Sequence, residues 1–245
     1  ITAGLEEGSK RLTAFDFTGA DLSYADLDHS FLQYADLTDA IITYTNFNDA
    51  NLTRVDLSGK DLTGTILTSA DLSYANLSGT ILTHSDFSYA NLTGVDLSVM
   101  DLTGEPMNDF SGANLTAVDL SGTDLFGKNL SGARLTSVDL SDMDLTGTIL
   151  KGADLSYSDL SGTILTGADL TSATLVGVDL SGKDLTRTIF FGVDLSGKDL
   201  TGTILREADL SHANLSGTIL TGTDLSNANL TGTSLNCIDH AICIE

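Results

Sequence analysis

The chain has 245 residues and a formal net charge of −23, from 34 acidic and 11 basic side chains. That balance repels phosphate backbones, so direct nucleic-acid binding is not expected. No run of apolar residues is long enough to cross a bilayer, so no membrane span is expected either.

Residues 1–11 follow no repeat and predict an N-terminal cap, with Leu5-Glu6-Glu7 as a short helical or irregular element. From residue 12 a five-residue phrase takes over, as in Val55-Asp56-Leu57-Ser58-Gly59 and Lys60-Asp61-Leu62-Thr63-Gly64. Its centres run by fives from Leu12, Phe17 and Leu22 to Leu102, then from Phe110 to Leu235, and each is Leu, Ile or Phe. Two residues before the centre stands a small residue such as Ala70 or Ala153; next comes Asp or Asn, and after the centre Ser or Thr and often Gly. A helix needs apolar residues at steps of three and four, and a long strand needs period two, so neither fits. Two inward positions followed by polar corners describe a chain that turns at every phrase. One phrase cannot bury its own Leu, so the phrases must stack into a continuous core. The repeat domain is placed at 12–235.

The period breaks once, at Glu105-Pro106-Met107, which holds the only proline. Proline cannot donate to a ladder, so an outward loop is expected at 105–107. A similar 40-residue block begins at Val55, Val138 and Val193. Deleting the three inserted residues brings the first two blocks into the same phase; the third is one phrase out. Residues 236–245 leave the pattern and predict a C-terminal cap. Its Cys237 and Cys243 are read two ways: a disulfide clamping the cap in an oxidising compartment, or free thiols. Asp239 and His240 complete no known metal spacing with them. The start at Ile1 rather than Met points to a processed product in an oxidising or non-cytosolic compartment, or to a segment of a longer repeat protein.

The phrase resembles the pentapeptide repeat family, with consensus A(D/N)LXX, over nearly the whole chain. The resemblance implies an all-β fold: a right-handed quadrilateral parallel β-helix with capped ends, four phrases per coil, and about eleven coils. At the ~4.8 Å spacing of stacked strands such a rod is roughly 50–55 Å long. With four phrases per coil, Asp16, Asp36, Asp56, Asp96, Asp119, Asp139, Asp159, Asp179 and Asp199 fall on one face, with Asn76 among them. This acidic wall is the candidate interaction face. Off the wall, Tyr24, Tyr34, Tyr44, Tyr74 and Tyr89 occupy outward corners and are candidate aromatic contacts, Tyr being enriched at protein interfaces. Lys60, Lys128, Lys183 and Lys198 occupy the inward small position; their stems are expected inside, with the charges running out to water.

No singular nucleophile has a histidine beside it, no phosphate-binding loop is present, and a convex rod offers no deep pocket, so no enzyme, cofactor or metal site is expected. The leading expectation is a structural or protein-interaction scaffold with a protein partner, open to end-to-end or lateral homo-oligomers. The alternative is a DNA mimic that binds a type II topoisomerase. The resemblance supplies that comparison through pentapeptide proteins of the quinolone-resistance group.

Overall fold

A computed structural model describes residues 11–98 and 109–236. It divides into two compact units, Ile1–Asp124 and Leu125–Glu245.

In the first unit the residues just before successive centres pair in parallel with those one turn on: Asp16 with Asp36, Asp21 with Ile41, Asp26 with Asn46, Phe31 with Asn51. The partners are 20 residues apart. Four five-residue sides therefore make one turn. Each side is too short for an extended strand and contributes a single bridge residue between two turns. Arg11, which the sequence places in the N-terminal cap, pairs with Phe31 like any other residue in its position.

The register survives the break in the period. Asp86 pairs with Asp109, Asn91 with Asn114, and Asp96 with Asp119. These partners are 23 residues apart, so the three extra residues leave the faces above and below in line. The segment 105–107 itself, and both ends assigned as caps apart from Arg11 and Asn236, lie outside the described residues.

The second unit repeats the pattern. Asn129 pairs with Ile149, Arg134 with Asp154, Asp139 with Asp159 and Asp144 with Ile164, and the series runs on to Asn214 with Ser234.

Backbone donors explain why the phrase reads as it does. In residues 50–54, Ala50 N–H closes a turn onto Phe47 O at 2.9 Å, and Asn51 N–H donates one turn back, to Ser30 O, at 2.8 Å. Leu52 and Arg54 donate one turn forward, to Asp71 O at 2.8 Å and Ser73 O at 3.0 Å. Only Thr53 N–H is left, and the Asn51 side-chain oxygen accepts it at 3.1 Å. An unpaired backbone N–H is costly, so Asp or Asn before the centre is a structural demand of the fold.

The centres stack inward and are almost completely buried, among them Leu52, Leu72 and Leu92 in the first unit and Leu155, Leu170 and Leu210 in the second. Phe87 and Phe110 stack with ring centroids 5.4 Å apart. Where the inward small residue carries a hydroxyl, that group donates to a buried carbonyl: Thr45 to Leu22 O at 2.8 Å, Thr188 to Leu165 O at 2.9 Å. The core thus admits Thr and Ser without stranding a polar group.

Every described corner turns through a left-handed residue. Gly59 has φ +66° and Gly94 φ +70°, but Asp39 and Tyr74 adopt φ 54° and 58° as well. A positive φ is what the third residue of a type II turn needs. At some corners glycine has a second task. The rings of Tyr74, Tyr89 and Tyr157 lie against Gly94, Gly112 and Gly177 of the following turn, where a Cβ would collide with them. On Gly94 it would stand 2.6 Å from Tyr74 Cε1, whereas around Gly59 the space is open.

Gly59→Ala should therefore cost only the left-handed penalty, about 1 kcal/mol. Gly94→Ala should cost about 2–3 kcal/mol, because the ring must also move. Adding Tyr74→Ala to Gly94→Ala should recover the difference in a double-mutant cycle of urea midpoints. Equal costs for the two glycines would show that the ring seat contributes nothing.

Candidate functional site: a stacked carboxylate column

The nine aspartates assigned to one wall are described in two groups. In the first unit Asp16 pairs with Asp36, Asp56 with Asn76, and Asp96 with Asp119. In the second, Asp139 pairs with Asp159, and Asp199 with Ile219; Asp179 lies between them in the sequence period.

Each of the nine uses Oδ1 for the fold. It accepts the N–H of the residue two positions on: Thr18 to Asp16 at 2.8 Å, Thr38 to Asp36 at 2.9 Å, Ser58 to Asp56 at 3.0 Å, and Ser98 to Asp96 at 2.8 Å. Ser121, Ser141, Ser161, Ser181 and Thr201 donate in the same way to Asp119, Asp139, Asp159, Asp179 and Asp199, at 2.8–2.9 Å. The wall position is exposed at all nine. One oxygen of each carboxylate serves the backbone and the other is presented outward.

Several of these bonds favour the charged carboxylate. The hydroxyl and then the N–H of Thr18, Thr38, Ser58, Ser98, Ser161 and Thr201 hold Asp16, Asp36, Asp56, Asp96, Asp159 and Asp199 below the ordinary carboxylate range. For Asp179 the N–H of Ser181 leads and its hydroxyl follows. Neighbouring carboxylates oppose the shift only weakly, as Asp16 does at Asp36 and Asp179 at Asp199.

Other faces dilute their charge in two ways. One is an Asn one turn after an Asp, whose amide donates back to the carboxylate: Asn46 to Asp26, Asn91 to Asp71, Asn214 to Asp194 and Asn229 to Asp209, each at 3.0 Å. The other is isoleucine between aspartates, as in the pairs Asp21–Ile41 and Asp61–Ile81, or Asp144–Ile164 and Asp184–Ile204. In the wall, among the described residues, Asn76 donates to Asp56 at 3.1 Å, and Ile219 follows Asp199.

Two of the four inward lysines carry a bond that the spacing did not predict. Lys198 Nζ donates to Val178 O at 2.9 Å, and Lys183 Nζ donates to Leu160 O. Both lysines are half-buried, and each amine is tied to a backbone carbonyl. Lys183 thereby takes the bond that Thr163 makes one turn earlier, to Leu140 O. Burial lowers the Lys198 pKa, against the pull of Asp179 and Asp194. Sequence spacing revealed these lysines as inward but not that a carbonyl would hold them, because that depends on which hydroxyl they replace.

The tyrosines sit at left-handed corners. Tyr44, Tyr74 and Tyr89 rest on Gly64, Gly94 and Gly112. Tyr24 stacks on Tyr44 at 5.0 Å with rings 2° from parallel, and Arg54 lies over Tyr74 at 5.8 Å. Their outer edges remain exposed, as does Tyr34. Cys237 and Cys243 lie outside the described residues. Among the described residues no group of three or more His, Cys, Asp or Glu side chains is placed to hold a metal ion, and no helix is long and apolar enough to cross a membrane.

A parallel solenoid turned by five-residue phrases defines the class, and the chain belongs to the pentapeptide repeat family. The model of the pentapeptide repeats matches in stretches that cover residues 20–98, 109–167, 168–206 and 208–239. Among solved structures, the chain is similar to HetL, a pentapeptide repeat protein involved in heterocyst differentiation regulation in the cyanobacterium Nostoc sp. Identity is 29% over 99% of this chain and 95% of that one, with a TM-score of 0.41. It is also similar to QnrB1, a plasmid-mediated fluoroquinolone resistance protein, at 19% identity over 91% of this chain and 93% of that one, TM-score 0.34. A third is a pentapeptide repeat protein of the Arabidopsis thaliana thylakoid lumen, at 23% identity over 71% and 77%, TM-score 0.12. No curated protein matches the chain.

Carboxyls whose pKa is depressed in the folded state contribute stability that is complete above their unfolded value of about 4. It is lost as pH falls through the folded values, down to that of Asp224, lowered to about 2 by Ser226 and then Arg206. The thermal midpoint should be flat with respect to these groups from about pH 7 to 5 and fall from about pH 4 to 2. A midpoint that rises on acidification would mean that repulsion along the column outweighs the N–H bonds.

Proposed function

We propose that the protein is a non-enzymatic interaction scaffold, a right-handed quadrilateral solenoid of about eleven coils. On this reading its aspartate column recognises a basic surface on a protein partner. The observation that carries the proposal is the column's composition. Asp and Asn both accept the spare N–H, as Ser58 donating to Asp56 and Ser78 donating to Asn76 illustrate. The fold therefore does not require charge at these positions, and neighbouring faces dilute it. Retaining Asp at nine wall positions forgoes the dilution seen on neighbouring faces, and such exceptions concentrate at functional sites. Basic partners gain encounter rate and register from a fixed array of this sign.

A DNA-mimic role against a type II topoisomerase is the second reading, favoured by the same exposed carboxylates. Spacing argues for ranking it second. One charge per ~4.8 Å along the column is sparser than one strand of DNA, which carries one phosphate per ~3.4 Å of helix axis.

The test replaces Asp139, Asp159, Asp179 and Asp199 together by Asn, which removes charge and keeps the N–H bonds. The variant should keep its circular dichroism, with a thermal midpoint at pH 7 lowered only by the charge-assisted part of those bonds. Proteins captured by the wild type at about 50 mM salt and released by about 300 mM should be absent from its eluate. Purified gyrase tested alongside decides the second reading through inhibition of supercoiling. Capture unchanged by the four substitutions would remove the column as the contact.

A further inference from the structure

The first unit carries another face whose composition the fold does not demand. Its outward positions run Asp21, Ile41, Asp61, Ile81, with Ser23, Thr43, Thr63 and Thr83 beside them. Ile41 and Ile81 are 52% and 53% exposed. Each stands where Asp or Asn would accept the spare N–H of the residue after the centre, as Asp21 does for Ser23 and Asp61 for Thr63. Isoleucine has no acceptor, so each gives up that bond and leaves an apolar side chain in water.

The corner bordering this face is equally uneconomical. Tyr24 and Tyr44 have φ 59° and 57°, a conformation that bulky residues rarely adopt. They are 75% and 47% exposed. The two rings are stacked on each other, and Tyr44 is seated on Gly64. The aromatic border is held in place before any partner arrives, which lowers the entropic cost of binding.

Period and charge identify what such a face fits. Ile41 and Ile81 are two turns apart, as are Asp21 and Asp61, so both series repeat at ~9.6 Å. A polyproline II helix rises ~3.1 Å per residue with three residues per turn and so repeats at ~9.3 Å. An α-helix, with a ~5.4 Å pitch, drifts by ~2 Å over four turns of the solenoid. A strand places same-side residues ~6.7 Å apart and matches neither series. No Lys or Arg occupies an outward position on the face from Asp21 to Thr83. We propose that this Asp–Ile face, bordered by Tyr24 and Tyr44, docks a proline-rich segment of a partner protein with a basic residue in each turn. Prolines rest on Ile41, Ile81 and the tyrosine edges, and the basic residues reach Asp21 and Asp61. Proline-rich segments bind aromatic-bordered surfaces because their extended helix is already formed.

The probe is a fluorescein-labelled peptide of four Pro-Pro-Lys repeats, titrated with the full chain and followed by anisotropy. A peptide of four Gly-Gly-Lys repeats carries the same charge without the helix. Saturable binding of the first, at least tenfold tighter than the second, is expected. Ile41→Thr with Ile81→Thr keeps β-branched residues on the ladder and should weaken binding at least tenfold. Tyr24→Gly, compatible with the corner backbone, should weaken it at least threefold. The four Asp→Asn substitutions at Asp139, Asp159, Asp179 and Asp199 should change it less than threefold, so this face and the carboxylate column are tested separately. Absence of saturable binding, equal affinity for the glycine peptide, or indifference to the Ile41 and Ile81 pair would each overturn the proposal. So would loss of binding in the column variant.

Discussion

One backbone N–H per phrase governs this fold. Four of the five donors in a phrase find carbonyls, one across the corner and three on neighbouring turns, and the donor just after the centre finds none. A short side chain two residues earlier must supply the acceptor, and Asp and Asn are the residues whose oxygen reaches it. The repeat's acidity is thus a by-product of donor accounting. The chain can carry a charge of −23 with much of it tied to backbone bonds that hold the corners.

Corners set the second constraint. A solenoid with sides of this length must turn a corner every five residues, and each described corner uses one left-handed residue. Glycine meets the demand without strain, yet many corners use Tyr, Asp, Ser, His or Arg. What makes this tolerable is the next turn. Stacked corner residues cover one another, so the tyrosine that pays the left-handed penalty recovers part of it by packing, as Tyr89 does on Gly112. Side chains at corners are therefore coupled in columns, and a substitution at one turn is felt at the following turn.

Much of this was legible in the residues because the period is short and strict. The spacing of Leu52, Leu57, Leu62 and Leu67 leaves no other way to bury them, and a turn of four phrases puts Asp16 over Asp36. The alignment of Asp96 with Asp119 followed from treating three residues as an insertion. What was not legible depends on contacts between turns. Nothing in the local phrase says that Lys183 replaces a threonine hydroxyl on a buried carbonyl, or that Tyr44 needs Gly64. Such pairs lie 20 or 23 residues apart, and the phrase itself is blind to them. The carbonyl bonds of Lys183 and Lys198 went unforeseen for this reason. Spacing identified an inward position but not the carbonyl that receives the amine.

The division of labour within each aspartate connects the scaffold to its surface. Oδ1 belongs to the backbone, and an Asn oxygen can take its place: Asn51, Asn91 and Asn229 accept the same N–H. The choice between Asp and Asn at a given turn therefore alters the surface charge and leaves the ladder untouched. Isoleucine at the same position goes further, exchanging the bond for an exposed apolar group. The fold supplies four faces on which charge, amide or hydrocarbon can be set turn by turn at a fixed pitch, each choice nearly independent of the core beneath it. A surface whose pattern is this free of structural demand carries information where the pattern departs from dilution. The wall aspartates depart from it outright, whereas Ile41 and Ile81 dilute the charge of Asp21 and Asp61 by giving up a backbone bond that Asn would have kept.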